Sequence, residues 1–376
     1  MRATSSAKLL IFDGIGGVPL GREINQSFQR HQVETSYHDC AELPKIPLYG
    51  IRSAYAKALN KTERDASDAF FHLPRLTKAD VAATIRREAP SHVLVVGFIY
   101  KFIDPRFLFE LKRELGFSLH LYDTDSCNLY AKRREFIFFI ENELPIYDEI
   151  FSFSKVTTNF FRTTRGLNAS YFPFGAGTID VPPRGDAEHD VLFVGSSDLR
   201  RIFLLEHIRE RVTIFGNRWK RNDPLISRGL KERIIDRTVW GRELHQLFAD
   251  SKIVLNITRT PFYGAETGIN LRIFEALAAG AFLLTDHCDE VAELLTPGVE
   301  LETFRSSAEL VDKVDYYLGN AEARRAVARR GHERFLKDFT WQRRSAELLQ
   351  RMGFAVREDS RITANESALL AGTRHG

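Results

Sequence analysis

The sequence predicts an α/β protein with two domains, each built on a parallel β-sheet that helices cover. Short aliphatic and β-branched runs alternate with amphipathic stretches along the whole chain, as in parallel sheets packed between helices. With 376 residues the chain is too long for one ordinary core and fits two domains of average size. The stretch from Gly175 to Asp190 is polar and lacks periodicity, which predicts a linker between two halves.

Composition narrows the class of protein. Apolar residues make up 44% of the chain and charged residues 27%, as in ordinary globular proteins. No apolar run approaches the roughly eighteen residues of a membrane-spanning helix, and the run from Leu9 ends at Asp13, as expected of a strand rather than a signal peptide. The 3 cysteines lie far apart, so they suggest neither disulfides nor a metal site. We therefore expect a cytoplasmic protein, and a net charge of +3 gives no indication of nucleic-acid binding.

The two halves repeat the same order of elements. Thr77 is a predicted N-cap, and Gly280 follows a helix in the position that favours a left-handed residue. The predicted strands are 8–12, 33–37, 92–96, 117–122, 149–153, 190–194, 212–215, 252–257 and 281–285, and the predicted helices are 21–30, 76–88, 200–210, 243–249, 271–279, 308–318, 321–335 and 341–352.

These elements predict the domain boundaries. We expect an N-terminal domain over residues 1–175, a linker over 176–189, a C-terminal domain over 190–340, a helix over 341–356 that returns to the first domain, and a flexible tail over 357–376. Open α/β sheets bind ligands at the carboxyl ends of their strands, so the two domains are expected to face a central cleft.

The most informative segment is NLRIFEALAAGAFLLTD, which begins at Asn270. Asn270 can cap a helix whose free N–H groups would form an anion site, and Arg272 in the first turn adds a guanidinium that suits a diphosphate. Glu275 stands among apolar and small residues, where its carboxylate could accept hydrogen bonds from the hydroxyls of a ribose. The alternative is an ordinary packed helix on which Glu275 faces solvent.

The same segment resembles the donor site of GT-B glycosyltransferases, in particular the branch that includes the CgeB-like spore-maturation proteins. Further segments agree in order: DVLFVG, VTIFG followed by Trp219, KIVLN before the helix, Pro297-Gly298 with Phe304, and FTW before the last helix. The resemblance covers residues 190–350 well and the N-terminal half only loosely. It implies a GT-B fold of two Rossmann-like domains, with the nucleotide held by the C-terminal one.

Site residues follow from this resemblance by position. It implies that Glu275 binds the ribose, that Asn270, Leu271 and Arg272 line the phosphates, and that Trp240 and Gly241 lie near the base. Related transferases often carry a second glutamate eight residues before the ribose-binding one. In this chain that place is taken by Thr267, with Glu266 one residue earlier.

A second phosphate-binding candidate is the turn after the strand 190–194. The amides of Gly195 and Ser196 can form an anion-binding nest, and Arg200 and Arg201 on the next helix can reach back to it. The alternative is an ordinary connection between a strand and a helix.

A glycine-rich turn, DGIGG, follows the first strand. In a GT-B enzyme this loop would face the cleft, and Gly16 would let donor phosphates approach the backbone closely. A nicotinamide-binding fingerprint would need a third glycine where Pro19 stands, although Asp39 occupies the place of its ribose-binding acid.

Asp123 and Asp125 end another predicted strand of the first half. A transferase that inverts the anomeric centre needs a general base, and these aspartates are the leading candidates. Their D-x-D spacing is also that of a metal-binding motif in the other large glycosyltransferase fold, but GT-B enzymes generally work without that metal. The alternative is a pair that caps the turn at Asn128.

The sequence thus predicts a nucleotide-sugar-dependent transferase of hexosyl type, without a cofactor or metal, in which Arg272 with Arg200 or Arg201 stabilises the leaving diphosphate. The expected donor is a UDP, GDP or dTDP sugar, and the expected acceptor is a glycan, a lipid-linked molecule or a protein. Basic clusters at 132–134, 324–325 and 329–330 leave open a contact with the inner face of an anionic membrane. The alternatives are a nucleotide-sugar epimerase and a nicotinamide-dependent oxidoreductase.

Overall fold

The computed structural model describes residues 7–60, 70–178 and 187–356. The described residues form two compact units: unit 1 comprises 7–60, 70–173 and 345–356, and unit 2 comprises 174–178 and 187–344. Residues 179–186 of the predicted linker and the predicted tail, 357–376, lie outside the described residues.

Unit 1 contains a parallel sheet of six strands in the order β2-β1-β3-β4-β5-β6. The strands are β1 (Lys8–Asp13), β2 (Glu34–Asp39), β3 (His92–Val96), β4 (Ser118–Asp123), β5 (Glu149–Ser152) and β6 (Ala169–Tyr171), and the helices are α1 (Leu20–Arg30), α2 (Tyr49–Asn60), α3 (Lys78–Glu88), α4 (Pro105–Leu115), α5 (Arg133–Phe138) and α6 (Lys155–Arg165). Short 3₁₀ segments span Ser126–Leu129 and Leu144–Ile146, and a π-helical turn spans Phe139–Glu143.

Unit 2 contains a second parallel sheet of six strands, in the order β12-β11-β10-β7-β8-β9. The strands are β7 (His189–Val194), β8 (Val212–Phe215), β9 (Ile234–Ile235), β10 (Ser251–Asn256), β11 (Leu283–Asp286) and β12 (Glu302–Phe304), and the helices are α7 (Leu199–Glu206), α8 (Arg228–Lys231), α9 (Gly241–Ala249), α10 (Thr260–Tyr263), α11 (Leu271–Ala278), α12 (Asp289–Leu294), α13 (Ser307–Gly319) and α14 (Ala321–Asp338). A 3₁₀ segment spans Trp219–Leu225. The last helix, α15 (Trp341–Arg351), begins in unit 2 and is part of unit 1 from Ser345 onward.

Central strands of both sheets are buried on both faces, which explains their continuous apolar runs. In β1 the residues from Leu9 to Phe12 are buried, and so are those from Val191 to Val194 in β7. Strands between two layers of helices have no solvated face, so they need apolar side chains at every position and not only at alternate ones. The predicted fold of two Rossmann-like domains is confirmed.

In each sheet, successive strands are added first on one side of the first strand and then on its other side. The place where this direction reverses is the switch point of the sheet. Counted within unit 2, the order is 6-5-4-1-2-3, which is the order of dinucleotide-binding α/β domains, and the switch point lies between β7 and β10. In unit 1 the switch point lies between β1 and β3. Loops at the carboxyl ends of these strand pairs diverge and leave room for a ligand.

The predicted strands are found within about two residues of their expected bounds, and so are most of the helices; the helix predicted over 200–210 ends at Glu206. The N-caps are also as predicted: Thr77 accepts a hydrogen bond from the amide of Asp80 and Asn270 from that of Arg272, and Gly280 has φ +62°. The elements that were missed are helices α2, α4, α5, α6, α8, α10 and α12 and strands β6, β9 and β12, although Asp104 with Pro105 marks the start of α4. Within the three described ranges, every helix falls short of the length and apolarity that crossing a membrane requires.

Candidate functional site

At the carboxyl ends of β7 and β8 in unit 2, two glycines let neighbouring loops meet. Gly216 follows β8 with φ +154°, and a Cβ atom there would lie 1.9 Å from the carbonyl oxygen of Gly195, which follows β7. Any larger residue at position 216 would push the two loops apart. The indole Nε1 of Trp219 donates a hydrogen bond to the same carbonyl at 3.1 Å, so the Gly195 turn is held from one side.

Arg201 connects the β7 loop with the β10 loop. Its Nη1 donates to the carbonyl oxygen of Ser196 at 2.8 Å, and its Nε donates to that of Ile257 at 2.9 Å. The side chain is buried, and burial is the main cause that lowers the pKa of Arg201. Its guanidinium therefore holds the loops after β7 and β10 together at the switch point.

Arg200 lies nearer the surface of the same place. Its Nη1 is 2.6 Å from Asp286 Oδ2, at the end of β11, and 3.1 Å from the carbonyl oxygen of Thr258. The Arg200 Cζ atom also lies 3.6 Å from the ring centre of Tyr263. Asp286, Thr258 and Tyr263 were not predicted; the signal for Asp286 was an acid directly after a buried strand.

The start of α11 holds a buried ion pair. Arg272 Nη1 lies 2.7 Å from Glu275 Oε2, and the Glu275 residue is only 8% exposed. Burial raises the pKa of Glu275, and the charge of Arg272 acts against that rise. The alternative in which Glu275 faces solvent is thereby excluded. Leu271, also a predicted site residue, is half-buried at the first helical position after Asn270.

Aromatic side chains surround Arg272. Its Cζ atom lies 5.3 Å from the Trp240 ring centre and 5.8 Å from that of Phe248. The helix predicted from residue 243 begins at Gly241, with Trp240 in the N-cap position, so these two predicted residues form a helix start beside α11. His245 was not predicted; burial first and Arg272 second lower its pKa to about 4, so its ring is neutral at neutral pH.

The structure thus brings the predicted residues of unit 2 into two groups. One group is the switch point, with Gly195, Ser196, Arg200 and Arg201, and the other is the α11 start, with Trp240, Gly241, Asn270, Leu271, Arg272 and Glu275. The two groups are linked electrostatically, because the charge of Arg272 contributes to lowering the pKa of Arg201.

The position of the displaced glutamate is occupied by a buried hydroxyl. Thr267 is fully buried and donates a hydrogen bond to the carboxylate of Glu290 from α12. Glu266 is exposed and adopts a left-handed conformation with φ +57°. Unit 2 therefore carries a carboxylate beside position 267 that comes from a different element of the chain.

In unit 1, the glycine-rich turn closes against the loop after β3. A Cβ atom on Gly14 would lie 2.1 Å from the carbonyl oxygen of Phe98, so the close approach requires glycine. Asp13 is buried below the turn and accepts hydrogen bonds from the amide of Ile15 at 3.0 Å and from the Tyr37 hydroxyl at 2.8 Å. Gly16, the predicted phosphate-facing residue, has φ +68° and is half-buried.

Asp123 and Asp125 follow β4 in different surroundings. The Asp123 carboxylate is buried and accepts hydrogen bonds from the amide of Ser126 at 3.0 Å and from the hydroxyls of Ser126 and Ser152, both at 2.8 Å. Burial raises its pKa. Asp125 is half-buried and accepts a hydrogen bond from the side-chain amide of Asn128, and it stands in the N-cap position of the 3₁₀ segment without a side-chain cap hydrogen bond. Of the two aspartates, Asp125 is the one that a substrate could reach.

A further buried acid, Glu143, supports the loop after β3. Its carboxylate accepts hydrogen bonds from the amides of Ile99 at 2.9 Å and Tyr100 at 2.8 Å, and from the Tyr147 hydroxyl at 3.0 Å. Burial raises the pKa of Glu143 to about 7. Glu143 was not predicted, because it lies on a π-helical turn between two predicted strands.

The chain is similar to known proteins in the sequence of its second half and in its fold. Residues 200–350 match the family model described as "Glycosyl transferase-like". A comparison with curated protein sequences gives no match. Among solved structures, the fold is similar to that of sucrose-phosphate synthase from Thermosynechococcus elongatus, at a TM-score of 0.61 and 11% identity over 92% of this chain and 98% of the other.

Two further structures are similar in fold. HepE of Anabaena, solved in complex with UDP and glucose, matches at a TM-score of 0.59 and 12% identity, over 92% of this chain and 99% of its own. A glycosyltransferase from Rickettsia africae matches at 0.56 and 9%, over 92% and 98%. At these identities the likeness concerns the fold. The CgeB-like branch suggested by the sequence receives no support from these matches. The second half of the chain matches the glycosyl transferase-like family model, and the two-domain fold is similar to that of solved glycosyltransferases.

Proposed function

We propose that the protein transfers a sugar, of hexose type, from a nucleoside-diphosphate sugar to the hydroxyl group of an acceptor. The observation that carries this proposal is the arginine-lined end of the unit 2 sheet. Arg200 and Arg201 lie at its switch point and Arg272 lies at the start of α11, within the segment that matches the glycosyl transferase-like family. A diphosphate is the ligand that such a set of guanidinium groups recognises best.

In the proposed complex the nucleotide occupies the two groups of unit 2. The diphosphate lies against the Gly195–Ser196 turn and the α11 start, where Asn270 and Leu271 present the helix end and Arg272 its charge. Glu275 accepts hydrogen bonds from the ribose hydroxyls, and Trp240 with Gly241 borders the base. HepE, which shares the fold, was solved with UDP-glucose, which supports a donor of this chemical class.

Transfer breaks the bond between the anomeric carbon and the diphosphate oxygen and forms a bond to the acceptor oxygen. Negative charge grows on the diphosphate as that bond breaks, and Arg272 and Arg200 stabilise this charge electrostatically. Asp286 and Glu275 hold the two guanidinium groups in place, at 2.6 Å and 2.7 Å. Because both groups are fixed before the reaction, little reorganisation is needed when the charge develops.

The acceptor side is proposed for unit 1, where Gly16 lies in the turn after β1 and Asp125 in the turn after β4. Asp125 takes the proton of the acceptor hydroxyl, and Asp123 below it holds the turn through Ser126 and Ser152. The acceptor is a glycan, a lipid-linked molecule or a protein, and a role in bacterial glycan synthesis at the cytoplasmic side of the membrane is part of the proposal.

A panel of nucleotides tests the donor site. UDP, GDP or dTDP should raise the melting temperature of the protein, and NAD should leave it unchanged. The Glu275→Gln variant should lose most of this shift. A matched control is Glu302→Gln, which also removes a carboxylate paired with a cation in unit 2, Lys313 at 3.0 Å, but away from the α11 start. A full nucleotide shift in Glu275→Gln would refute the ribose-binding role.

A second test separates transfer from epimerisation. Incubated with a nucleotide sugar and no acceptor, a transferase should release free sugar and nucleoside diphosphate slowly, because water replaces the acceptor. A nucleotide-sugar epimerase of the same fold would instead give an isomer of the donor. Detection of the isomer, with no free sugar, would replace the proposed function by this alternative.

A further inference from the structure

Positive charge is concentrated in unit 2 between the end of β8 and the start of α9. Residues 216–242 contain 8 arginines and lysines but only 3 acids, whereas the whole chain has a net charge of +3. This segment alone is therefore more positive than the complete chain, and the rest of the chain is acidic on balance. A local excess of one sign of charge attracts ligands of the opposite sign to that place.

Ion pairs account for only three of these cations. In the described ranges, Arg218, Lys220, Arg221 and Arg242 are exposed and belong to no ion pair. Arg233, which is also unpaired, precedes β9 and so lies at the amino end of that strand. The ion pairs are Arg228–Glu232 at 3.2 Å, Lys231–Asp223 at 2.8 Å and Arg237–Glu243 at 2.5 Å.

The loops after β8 and β9 meet at one edge of the sheet. The two strands are parallel neighbours, so both loops leave at the carboxyl edge, where α/β sheets bind ligands. The Asp236 carboxylate, directly after β9, accepts hydrogen bonds from the backbone amides of Trp219 and Lys220, both at 3.4 Å. The cations at 218, 220 and 221 are therefore fixed beside the end of β9, and Asp236 offsets one of their charges.

Arg242 lies at the same edge. The neighbouring Glu243 pairs with Arg237, and the Arg237 Cζ atom lies 5.2 Å from the ring centre of Phe215, the last residue of β8. The basic edge, as we call this group, consists of four exposed and unpaired cations in the described part of the chain: Arg218, Lys220, Arg221 and Arg242.

The basic edge borders both groups of the proposed donor site. Trp219, in the loop after β8, donates a hydrogen bond to the carbonyl oxygen of Gly195 at 3.1 Å. Trp240, two residues before Arg242, has its ring centre 5.3 Å from the Arg272 Cζ atom. The basic edge thus continues the arginine-lined end of the sheet toward β9, the outermost strand on that side.

The proposed donor leaves these four charges unused. Its diphosphate is assigned to Arg200, Arg201 and Arg272, which lie at the switch point and at the α11 start. Exposed cations that lie close together repel one another, and a ligand with several negative charges relieves this repulsion. Because the cations are spread over two loops, the ligand that suits them is extended and carries its charges at intervals.

The basic clusters that the sequence singled out differ from the basic edge. Lys132 lies 3.2 Å from Glu135, and Arg324 is buried and donates to the carbonyl oxygen of Tyr317. Charges that are already paired or buried contribute little attraction to an anionic ligand. The basic edge combines exposure with unpaired charge, beside the proposed donor site.

We propose that the basic edge binds an anionic polysaccharide, with carboxylate or phosphate groups along its chain, and that this polysaccharide is the acceptor. Its role as acceptor rests on the proposed function, whereas its binding does not. A polysaccharide fits better than a single-stranded nucleic acid, whose bases also stack on accessible aromatic rings. Trp219, the aromatic residue among the cations after β8, is only 1% exposed.

Titration with short oligosaccharides tests the binding. The probes are oligogalacturonate, which carries carboxylates, a phosphorylated maltooligosaccharide, and the neutral maltooligosaccharide of the same length. At about 50 mM NaCl, at least one anionic probe should bind at least about tenfold more tightly than the neutral one, and added salt should weaken this binding. The two anionic probes distinguish carboxylate from phosphate recognition.

A pair of double variants locates the site. Lys220→Gln/Arg221→Gln should bind the anionic probe about tenfold more weakly and with a smaller dependence on salt, because fewer counterions are released. The matched control Arg228→Gln/Lys231→Gln removes the same charge from the same segment, but from cations that already have acidic partners. The control should bind within about twofold of the wild type, whereas a general effect of net charge would weaken both variants equally.

A transfer assay tests the acceptor role. With a nucleotide sugar as donor, the anionic oligosaccharide should receive the sugar, and Lys220→Gln/Arg221→Gln should raise its KM about tenfold while the melting shift caused by UDP is kept. Binding without transfer to the probe, in a protein that hydrolyses the donor, would overturn the acceptor role alone. If no donor is used at all, the proposed function fails while the measured binding stands.

Four results would overturn the binding proposal. They are equal affinity for charged and neutral probes, equal loss in the two double variants, a lost UDP shift in Lys220→Gln/Arg221→Gln, and tighter binding of an oligothymidylate than of either anionic oligosaccharide. A lost UDP shift would assign the basic edge to the donor site, and tighter binding of the oligothymidylate would assign it to a nucleic acid.

Discussion

The two units carry sheets of the same kind but differ in the charges at their switch points. In unit 1 the buried ionisable groups near the ends of β1, β3 and β4 are acids, Asp13, Glu143 and Asp123. In unit 2 the corresponding loops carry Arg200 and Arg201. A strand order with a switch point creates a place for a ligand, whereas the side chains in the loops decide which ligand.

The acids and the arginines are also held differently. The three acids of unit 1 accept hydrogen bonds from hydroxyl and backbone N–H groups, which hold the loops in place. In unit 2, Arg200 is paired with Asp286 and Arg272 with Glu275. A phosphate that displaces such a carboxylate partner, or shares its guanidinium, gains charge-assisted hydrogen bonds. This difference is the reason why we propose unit 2 as the place where the anionic part of a substrate binds.

Breaking the close approach of the loops should have the largest effect. Gly216→Ala and Gly14→Ala each place a Cβ atom about 2 Å from a carbonyl oxygen, at 1.9 Å and 2.1 Å, and each should lower the free energy of unfolding by more than about 3 kcal/mol. Gly319→Ala, where a Cβ atom would meet nothing within 4 Å, is the control. Thermal unfolding measures all three, and a melting temperature of Gly216→Ala equal to that of Gly319→Ala would contradict the packing described for unit 2.

A second prediction assigns nucleotide binding and chemistry to different units. The double variant Arg272→Gln/Glu275→Gln removes both charges together, so that no unpaired charge remains buried, and it should weaken UDP binding about hundredfold. Asp125→Asn should leave UDP binding unchanged and reduce the transfer rate by about 10²-fold or more. Calorimetric titration with UDP and a transfer assay distinguish them. Equal losses of UDP affinity in both variants would contradict the assignment of nucleotide binding to unit 2 and of proton transfer to unit 1.

Stability should depend on pH through Glu143. The folded protein holds the Glu143 proton up to a pKa of about 7, whereas the unfolded chain loses it near 4.5. The buried, protonated Glu143 therefore stabilises the folded protein by on the order of 3 kcal/mol below about pH 4.5, and this stabilisation is lost as the pH rises to about 7. In Glu143→Gln the melting temperature should vary less between pH 5 and 7.5. The exposed Glu110→Gln should keep the wild-type profile, and an unchanged profile in Glu143→Gln would show that another group is responsible.

The smallest effects are expected at the helix caps, one in each unit. Thr77 in unit 1 and Asn270 in unit 2 both accept a hydrogen bond from an amide of the first turn, and replacing either by alanine should lower the free energy of unfolding by about 1 kcal/mol. Only Asn270→Ala should also weaken UDP binding, because only this cap borders the proposed donor site. If Asn270→Ala bound UDP as tightly as Thr77→Ala does, the Asn270 cap would not be part of the donor site.

Sequence reasoning was most successful where local chemistry decides structure. The buried strands, the Thr77 and Asn270 caps and the left-handed Gly280 were predicted because apolar runs, cap side chains and glycine act over a few residues. Helix α2 was missed because its large apolar residues face away from unit 1 and no buried stripe marks it. The partners of the predicted arginines were missed as well, since Asp286 lies 86 residues from Arg200.

By itself, the sequence determined the α/β class, the two sheets and the segment around Asn270, Arg272 and Glu275. Only the tertiary structure decided the strand order that places the switch point of unit 2 between β7 and β10, the burial of Glu275, and the distinction between the interior Asp123 and the more exposed Asp125. The reason is physical: periodicity records whether a residue is apolar, but burial of a polar group depends on which distant strands and loops supply its hydrogen-bond partners.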